Sequence, residues 1–423
     1  MAYSIRVGIF DHLSLRIGGG QLVVARMAAQ LSDAYQVDVI HSGRGYTIPR
    51  LASAFQVDLR RVQERILPDS LESLGLPGRR STWVDLPSRL RADRALTGPY
   101  DLFIYSGHGV PPFNSARHGL IYCHFPFELH PIHELPLTAG WDNRSAFSRW
   151  GRSIAYRLLW KHRMRGYQAV QCNSRFTAGW INRLWYRPAE VLYPPVALQV
   201  PRGEKRNSIV SVGRFVQSDN KNLAQQLKAF REFYSTVGGN WRLHMIGFCA
   251  DIPQDRAYVQ HLRDLALGLP ITFIVNAERK TVIRRLAEAK LFWHTTGLNT
   301  EPEEPQAQEH FGIATVEAML AGCVPLVPKR GGQTEIVEHE ASGLLCENLD
   351  QLVRHSVRLA HEDDLRREMS RRAKDLSKRF SASAFERSFG QTVNRLLADH
   401  GEIQAPRDAV AFKPTSVDPK IAG

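Results

Sequence analysis

Apolar and polar positions alternate along this chain in two successive series of strand-like and helix-like segments. In the first half, short apolar runs typical of buried strands lie at residues 5–10, 37–40, 101–105, 119–123, 169–172 and 190–193. Residues 21–31, between the first two runs, have the apolar periodicity of a helix. This β-α-β opening predicts a parallel sheet covered by helices.

A second series follows a stretch rich in proline and charge at residues 194–207. Strand-like runs at 208–214, 242–247, 271–275, 291–294 and 324–328 alternate with helical patterns, among them 223–234 and 282–289. We therefore predict one α/β domain over residues 1–200 and a second over residues 201–380.

The C-terminal part of the chain is predicted to be helical and then disordered. Residues 352–377 are charged and helix-like. The helical stretch 382–399 has one apolar stripe, made by Phe385, Phe389, Val393, Leu396 and Leu397. The tail at 401–423 lacks periodicity and is predicted to be disordered.

The richest chemistry lies in the stretch from Glu309 to Gly322. Its two glutamates, Glu309 and Glu317, are eight residues apart, and the second opens an apolar helix-like run. Gly312 is expected just before free helix N–H groups, where the backbone approaches a ligand closely. A helix N-terminus attracts anions and carboxylates accept hydrogen bonds from hydroxyls, so the stretch predicts a site for a sugar nucleotide.

Polar residues follow three predicted strands of the first half. They are Ser106 to His108, His124, and Asn173 to Thr177. The glycines Gly18–Gly20 form the turn after the first strand. Because ligands gather beyond the carboxyl ends of strands in α/β sheets, the recurrence predicts a functional edge. The alternatives are a flexible glycine loop and histidines with a purely structural role.

Arg214 and Lys221 flank the turn after the first strand of the second half. An Arg fork and a Lys point charge at a strand end are suited to neutralising a diphosphate. The alternative is ordinary surface charge.

Composition indicates an ordinary globular protein. The 423 residues are 43% hydrophobic and 23% charged, and they contain no apolar run of about 18 residues that could span a membrane. The N-terminus enters a strand directly and shows no signal peptide. Five scattered cysteines lack metal-binding spacing, which favours reduced thiols, a cytoplasmic location and no metal site.

The net charge of +13 calls for an anionic partner. Nucleic acid is disfavoured, because no zinc-finger or RNA-binding signature is present. Residues 144–165 contain seven Arg or Lys and no acid, with Phe147, Trp150, Ile154 and Leu158 at helical spacing. Such a helix is suited to an anionic membrane surface, and hence to a peripheral membrane protein. The alternative is a helix docked on its own domain with a solvated basic face.

Taken together, the motifs resemble the retaining GT-B glycosyltransferases of family 4, also called glycosyltransferase group 1. The resemblance covers residues 5–395 and rests on motifs in family order. They are Gly18–Gly20, Tyr122–Pro126, Asn173–Thr177, Tyr193–Val196, Val212–Arg214 with Lys221, Glu309–Gly322 with its two glutamates, and Gly331–Val337.

The resemblance implies two Rossmann-like domains facing across a central cleft, with the helix at 381–400 crossing back to the N-terminal domain. It implies a nucleotide-sugar donor, with Arg214 and Lys221 on the diphosphate, Glu309 on the sugar and Glu317 on the ribose. Backbone N–H groups of Phe311, Gly312 and Ile313 would contact sugar and phosphate. Gly19 and Gly20 would line the reaction centre, and His124 would contact the donor sugar. No metal or other cofactor is implied.

The residue sequences of the His124, Tyr193 and Glu309 motifs are similar to those of lipid-linked oligosaccharide mannosyltransferases. This implies transfer of mannose from GDP-mannose to a lipid-linked or polysaccharide acceptor. The alternatives are a UDP-sugar donor and a non-catalytic protein that binds sugar nucleotides. Two features depart from the family: the long, polar spacing from Arg214 to Lys221, and an acidic insertion at residues 301–305.

Overall fold

The computed structural model describes residues 5–12, 17–43, 45–67, 86–126, 146–201, 203–217, 221–298, 300–301 and 303–398. They form two compact units. The first unit comprises residues up to Asn173, Ala178–Pro195 and the chain from Ala382 onward; the second comprises Ser174–Thr177 and Val196–Ser381. The predicted disordered tail at 401–423 lies outside the described residues.

The first unit is built on a seven-stranded sheet whose described pairings are all parallel, in the order β3-β2-β1-β4-β5-β6-β7. Its inner strands β1, β2, β4, β5 and β6 are buried almost throughout, as continuous apolar runs require, whereas β3 and β7 at the two edges are largely exposed or half-buried. Their bounds are β1 Arg6–Asp11, β2 Gln36–His41, β3 Val62–Ile66, β4 Leu102–His108, β5 His118–Phe125, β6 Ala169–Cys172 and β7 Glu190–Val191.

Helices cover this sheet and include the last one of the chain. Phe385 and Phe389 of that last helix lie in the same core as Val24 and Ala28, so the C-terminal segment belongs to the first unit. The helices are α1 Gly19–Ser32, α2 Ile48–Phe55, α3 Leu86–Thr97, α4 Ala146–Arg165, α5 Arg175–Trp185 and, at the end of the chain, α13 Ala382–Ala398.

The second unit has a six-stranded sheet with all-parallel described pairings, in the order β10-β9-β8-β11-β12-β13. The strands are β8 Arg206–Arg214, β9 Arg242–Phe248, β10 Ile271–Val275, β11 Ala289–Trp293, β12 Val324–Pro328 and β13 Leu344–Cys346. The helices are α6 Leu223–Val237, α7 Pro253–Leu265, α8 Arg279–Glu288, α9 Ile313–Leu320, α10 Gln333–Ile336, α11 Leu349–His361 and α12 Asp363–Ser377.

The predicted fold class, α/β with two Rossmann-like domains, is confirmed by these two sheets. Two details differ. Helix α9 begins at Ile313, so Glu317 lies within the helix and does not open it. The helical stretch 352–377 is divided at Glu362, whose backbone (φ −98°, ψ 73°) leaves the helical region and separates α11 from α12. The placement of the two domains across a cleft remains a prediction.

Candidate functional site

Glu309 is the centre of a charged cluster in the second unit. It lies between the short 3-10 helix Pro305–Ala307 and the start of α9. Lys221 Nζ donates to Glu309 Oε2 at 2.8 Å, and His294 Nε2 lies 2.9 Å from the same oxygen. His294 is buried directly after β11. The structure therefore joins two residues named from the sequence, Glu309 and Lys221, with a histidine that sequence reasoning treated as part of a strand.

The cluster keeps Glu309 ionised. Burial favours the protonated carboxyl, but the Lys221 charge and the hydrogen bonds from His294 and Lys221 outweigh it. They hold the pKa of Glu309 well below its ordinary value. Both contacts use Oε2, and among the described residues Oε1 accepts no hydrogen bond. A fixed carboxylate with one uncommitted oxygen is suited to accepting a hydroxyl group.

Glu317 is held differently, by an arginine from a neighbouring helix. It is buried on α9, and Arg279 at the start of α8 donates through both terminal nitrogens to its two oxygens. The Nη1–Oε2 distance is 3.0 Å. Arg279 carries no motif signal, since it is one of many basic residues in that region. Only the spatial pairing of α8 with α9 brings it to Glu317.

The N-terminus of α9 is set by Gly312. Its φ of 115° lies in the left-handed region that glycine tolerates, and its carbonyl accepts from the N–H groups of Thr315 and Val316. Phe311 is buried edge-to-face against Phe380 and fixes the approach to the helix. The helix start therefore presents its first N–H groups after Gly312, as the sequence predicts.

Gln333 packs directly over this helix start. A Cβ built on Gly312 would lie 2.5 Å from Gln333 Nε2. The side chain of Gln333 is fully buried, and neither its Nε2 nor its Oε1 has a hydrogen-bond partner. Thr315, in the first turn of α9, also has a buried hydroxyl without a partner. Buried polar groups are nearly always satisfied, so unsatisfied groups beside one helix N-terminus point to a polar ligand.

Lys205 secures the opposite ends of α8 and α9. Its buried Nζ donates to the carbonyl oxygens of Ala289 at 2.7 Å and Ala321 at 2.8 Å, which follow the two helices. Burial lowers the pKa of Lys205. A cation there complements the partial negative charge of both helix C-termini. It thus fixes the two helices whose other ends carry Arg279 and Gly312.

Arg214 ends β8 and is exposed. The Lys221 stem passes 3.7 Å from where a Cβ on Gly213 would lie, so Lys221 begins at the same corner as Arg214. The Lys221 ammonium, however, is directed to Glu309. Lys221 therefore pairs with Glu309, the carboxylate for which the family resemblance implies a contact with the donor sugar.

In the first unit the glycine turn and His124 lie together. A Cβ on Gly20 would be 3.2 Å from His124 Nε2, so a side chain at this position would require the His124 ring to shift. The Ser106 hydroxyl lies 3.0 Å from the same nitrogen, and the His108 ring is 5.2 Å away, centroid to centroid. Gly19 is exposed at the first position of α1. The polar ends of β4 and β5 therefore meet the turn after β1.

Among the described residues, no group of three His, Cys, Asp or Glu side chains could hold a metal ion. Within the same residues, no helix is long and apolar enough to cross a bilayer.

Comparison with known proteins now identifies the class. Residues 198–376 match the family described as glycosyl transferases group 1. The structure of Anabaena HepE in complex with UDP-glucose matches with a TM-score of 0.63 at 16% identity, covering 93% of this chain and all of that one. The match over residues 198–376 confirms the resemblance to glycosyltransferase group 1, and the fold is that of GT-B structures. The retaining mechanism stays a prediction.

The curated relatives are mannosyltransferases. A mouse GDP-Man:Man(3)GlcNAc(2)-PP-Dol alpha-1,2-mannosyltransferase is 30% identical over 253 residues, 54% of this chain and 48% of the relative. Human alpha-1,3/1,6-mannosyltransferase ALG2 is 25% identical over 323 residues, 68% of this chain and 71% of the relative. The chain thus spans about half the length of the first of these two proteins.

Proposed function

We propose that this chain is a retaining glycosyltransferase that moves mannose from GDP-mannose to a lipid-linked or polysaccharide acceptor. The observation that carries the proposal is the Glu309 cluster. A carboxylate held ionised by Lys221 and His294, with one oxygen uncommitted, lies just before a helix N-terminus bordered by unsatisfied polar groups. A carboxylate that accepts from hydroxyl groups and a helix N-terminus that attracts an anion together fit a sugar attached to a diphosphate.

In this proposal each group has a defined role, and Lys221 has two, because it also holds Glu309 ionised. Glu309 Oε1 accepts from a donor-sugar hydroxyl, and Glu317, oriented by Arg279, accepts from the ribose. Arg214, Lys221 and the backbone N–H groups at Phe311, Gly312 and Ile313 receive the diphosphate. Gly19, Gly20 and His124, in the first unit, keep the roles that the family resemblance implies for them.

The proposed chemistry needs charge stabilisation more than a nucleophile. When the sugar leaves the nucleoside diphosphate, negative charge grows on the β-phosphate. Arg214, Lys221 and the α9 N-terminus are the groups that would stabilise that charge. The chain needs no metal for this, so we expect activity to survive EDTA. No protein nucleophile is assigned, because same-face attack by the acceptor keeps the anomeric configuration.

Donor identity is tested by a thermal-shift panel of GDP- and UDP-sugars, since a bound donor raises the unfolding temperature by mass action. We expect GDP-mannose to give the largest shift. A larger shift with a UDP-sugar would favour the second donor class, which the match to a UDP-glucose complex supports. Donor hydrolysis by wild type and Glu309→Ala then separates an enzyme from a binding protein. Tight binding without hydrolysis or transfer in any acceptor mixture would overturn the enzyme proposal.

A lipid-linked acceptor favours attachment at a membrane surface, and α4 is the proposed contact. Ile154, Leu158, Arg157, Lys161 and Arg165 are exposed and recur at helical spacing. Apolar and basic groups on one exposed face suit an anionic bilayer. We expect Arg157→Gln with Lys161→Gln to reduce sedimentation with phosphatidylglycerol vesicles. Unchanged sedimentation would show that α4 is only a solvated helix.

A further inference from the structure

The first unit contains a basic cavity that the proposed reaction does not use. Its volume is about 410 Å³, and it is lined by residues from α3, from the segment before β5 and from the end of α4. The lining includes three arginines, Arg94, Arg163 and Arg165, and the imidazole of His162. No acidic residue is among the lining residues.

The cavity lies at the amino ends of the strands, and the Gly20–His124 contact lies at their carboxyl ends. Its lining residues Asn114 and Ser115 precede β5, and Gly166 precedes β6, so it borders the amino ends of these strands. Gly20 and His124 lie at carboxyl ends of strands in the same parallel sheet. A ligand in the cavity therefore would not occupy the reaction centre.

Two cations of the cavity, Arg94 and Arg165, are available to a ligand. The exposed side chains of Arg94 and Arg165 make no ion pair or hydrogen bond with any described residue. Arg163 is buried, with its guanidinium carbon 4.3 Å from the centroid of the Phe113 ring. Stacking on an aromatic face holds that guanidinium in place.

Two nearby groups carry negative charge that would repel an anion, and together they carry less charge than the three arginines. Asp93 is the nearby acid; its carboxylate already accepts from Arg89 and from the Phe113 N–H, and its charge offsets part of that of Arg163. The C-terminal end of α4 adds a partial negative charge of about half an electron. The positive charge of the three guanidinium groups exceeds the combined negative charge of Asp93 and the α4 C-terminus. The cavity therefore remains a site for an anion.

The rim of the cavity indicates how such an anion is presented. Leu90 lines the cavity and is 38% exposed. On α4, Leu158 is 63% exposed and precedes His162 by four residues and Arg165 by seven, so the three share one helix face. Exposed apolar groups beside a basic cavity are suited to the boundary between lipid headgroups and acyl chains.

We propose that this cavity binds a phosphate group, carried by the headgroup of an anionic lipid. Arginine forks match phosphate oxygens, and several around one cavity select phosphate over a single carboxylate. The inference goes beyond the proposed sugar transfer, and it rests on that function only for the choice of a lipid as carrier. Its test therefore uses no nucleotide sugar.

The test compares two matched double variants of the full chain. Arg94→Gln with Arg165→Gln removes two exposed cations of the cavity. Arg50→Gln with Arg61→Gln removes two exposed cations elsewhere in the same unit and leaves net charge equal between the variants. Inorganic pyrophosphate binding is measured by calorimetry with excess GDP and UDP present, so that the proposed donor site is already occupied. Sedimentation is measured with phosphatidic acid vesicles and with neutral phosphatidylcholine vesicles.

We expect the cavity variant to bind pyrophosphate about tenfold or more weakly, because each lost charged hydrogen bond contributes on this scale. Its binding to phosphatidic acid vesicles should fall in parallel, while the Arg50/Arg61 variant keeps pyrophosphate binding. Unfolding temperatures of both variants should match wild type, since all four side chains are exposed.

Other outcomes have defined meanings. Pyrophosphate binding without vesicle binding would keep the phosphate site and reject the lipid as its carrier. No pyrophosphate binding by wild type would overturn the proposal. Equal losses in both double variants would also overturn it, since general surface charge would then explain the binding. Because none of the probes is a nucleotide sugar, failure of the cavity proposal and failure of the sugar-transfer proposal are distinguishable.

Discussion

At the scale of single residues, Gln333 is the most informative side chain of the candidate site. An amide that is buried without partners destabilises the protein unless something satisfies it. Because Gln333 lies over Gly312, the satisfying group would also lie at the α9 N-terminus. A structural role and a ligand-binding role for this amide therefore predict opposite effects on stability.

Replacing Gln333 with methionine should separate stability from donor affinity. Gln333→Met removes both unpartnered atoms with little change in size, so without donor its free energy of unfolding should be equal to or up to about 2 kcal/mol above that of wild type. Donor binding should weaken about tenfold, since a hydrogen bond to a charged group is lost. Urea unfolding and calorimetric titration measure the two quantities.

A second buried glutamine supplies the control. Gln226 is buried in the same unit, and although its Oε1 lacks a partner, its Nε2 donates to Thr295 Oγ1 at 2.7 Å. Gln226→Met should therefore lower the free energy of unfolding by about 1–3 kcal/mol. If Gln333→Met destabilises the protein to the same degree and leaves donor affinity intact, the Gln333 amide is structural.

Glu309 gives a prediction about pH. Its pKa is lowered in the folded protein, so its ionisation stabilises the fold above about pH 4.3, the ordinary carboxyl pKa, and this contribution is lost as pH falls toward the folded value. Glu309→Gln should lower the free energy of unfolding by about 1–3 kcal/mol at pH 7. The difference in unfolding free energy between this variant and wild type should become smaller below pH 4. Urea unfolding across pH 3.5–7 measures it.

An exposed glutamate from the neighbouring loop serves as the control for that series. Glu303 is exposed and makes no hydrogen bond or ion pair with the described residues, so Glu303→Gln should leave the free energy of unfolding at pH 7 close to that of wild type. A Glu309→Gln difference that grows as the pH falls would mean that Lys221 and His294 do not hold this carboxylate in its ionised form.

The candidate residues were accessible to sequence reasoning only where a motif marks them. Glu309, Glu317 and Gly312 carry a fixed spacing and a glycine before a helix. His294, Arg279 and Gln333 carry none, because their relevance depends on which elements pack beside α9. The pairing of Lys221 with Glu309 was equally inaccessible, since 88 residues separate the two. Motif spacing identifies candidate residues such as Glu309 and Glu317. The side chains that pair with them depend on tertiary packing, which the sequence pattern does not show.

At the scale of elements, α9 depends on the backbone of Gly312. Gly312→Ala must place a Cβ at positive φ and 2.5 Å from Gln333 Nε2, so we expect a loss of about 2–4 kcal/mol in unfolding free energy. Gly268→Ala is the control, because Gly268 also has positive φ (77°) but open space around its Cβ. It should cost about 1 kcal/mol. Equal losses would show that the contact with Gln333 does not constrain the helix start.

The elements themselves were largely predictable, and the misses have local causes. Buried parallel strands are continuous apolar runs, so β1, β4, β5, β8 and β9 stand out in the sequence. Strand β3 reads Val-Gln-Glu-Arg-Ile, polar at its centre, and pairs with β2 at the end of the sheet order. The break between α11 and α12 at Glu362 has no glycine or proline to mark it.

At the scale of the whole molecule, spatial organisation departs from chain order. The last helix, α13, follows the second unit in sequence but packs into the core of the first. Gln30 Nε2 of α1 donates to the Glu386 carbonyl of α13 at 2.7 Å, and Gln171 Nε2 of β6 donates to Thr392 Oγ1 at 2.9 Å. The first unit therefore needs the C-terminal end of the chain to complete its core.

This organisation predicts that a C-terminal substitution weakens the N-terminal part of the chain. Phe389 is fully buried in the first unit, so Phe389→Ala should cost about 3–5 kcal/mol. By hydrogen exchange, amides of β1–β6 should lose protection while those of β8–β12 keep theirs, since each unit has its own core. Phe233→Ala, in the core of the second unit, should show the reverse pattern. If either substitution deprotects both sheets equally, the two units unfold together and their cores are not independent.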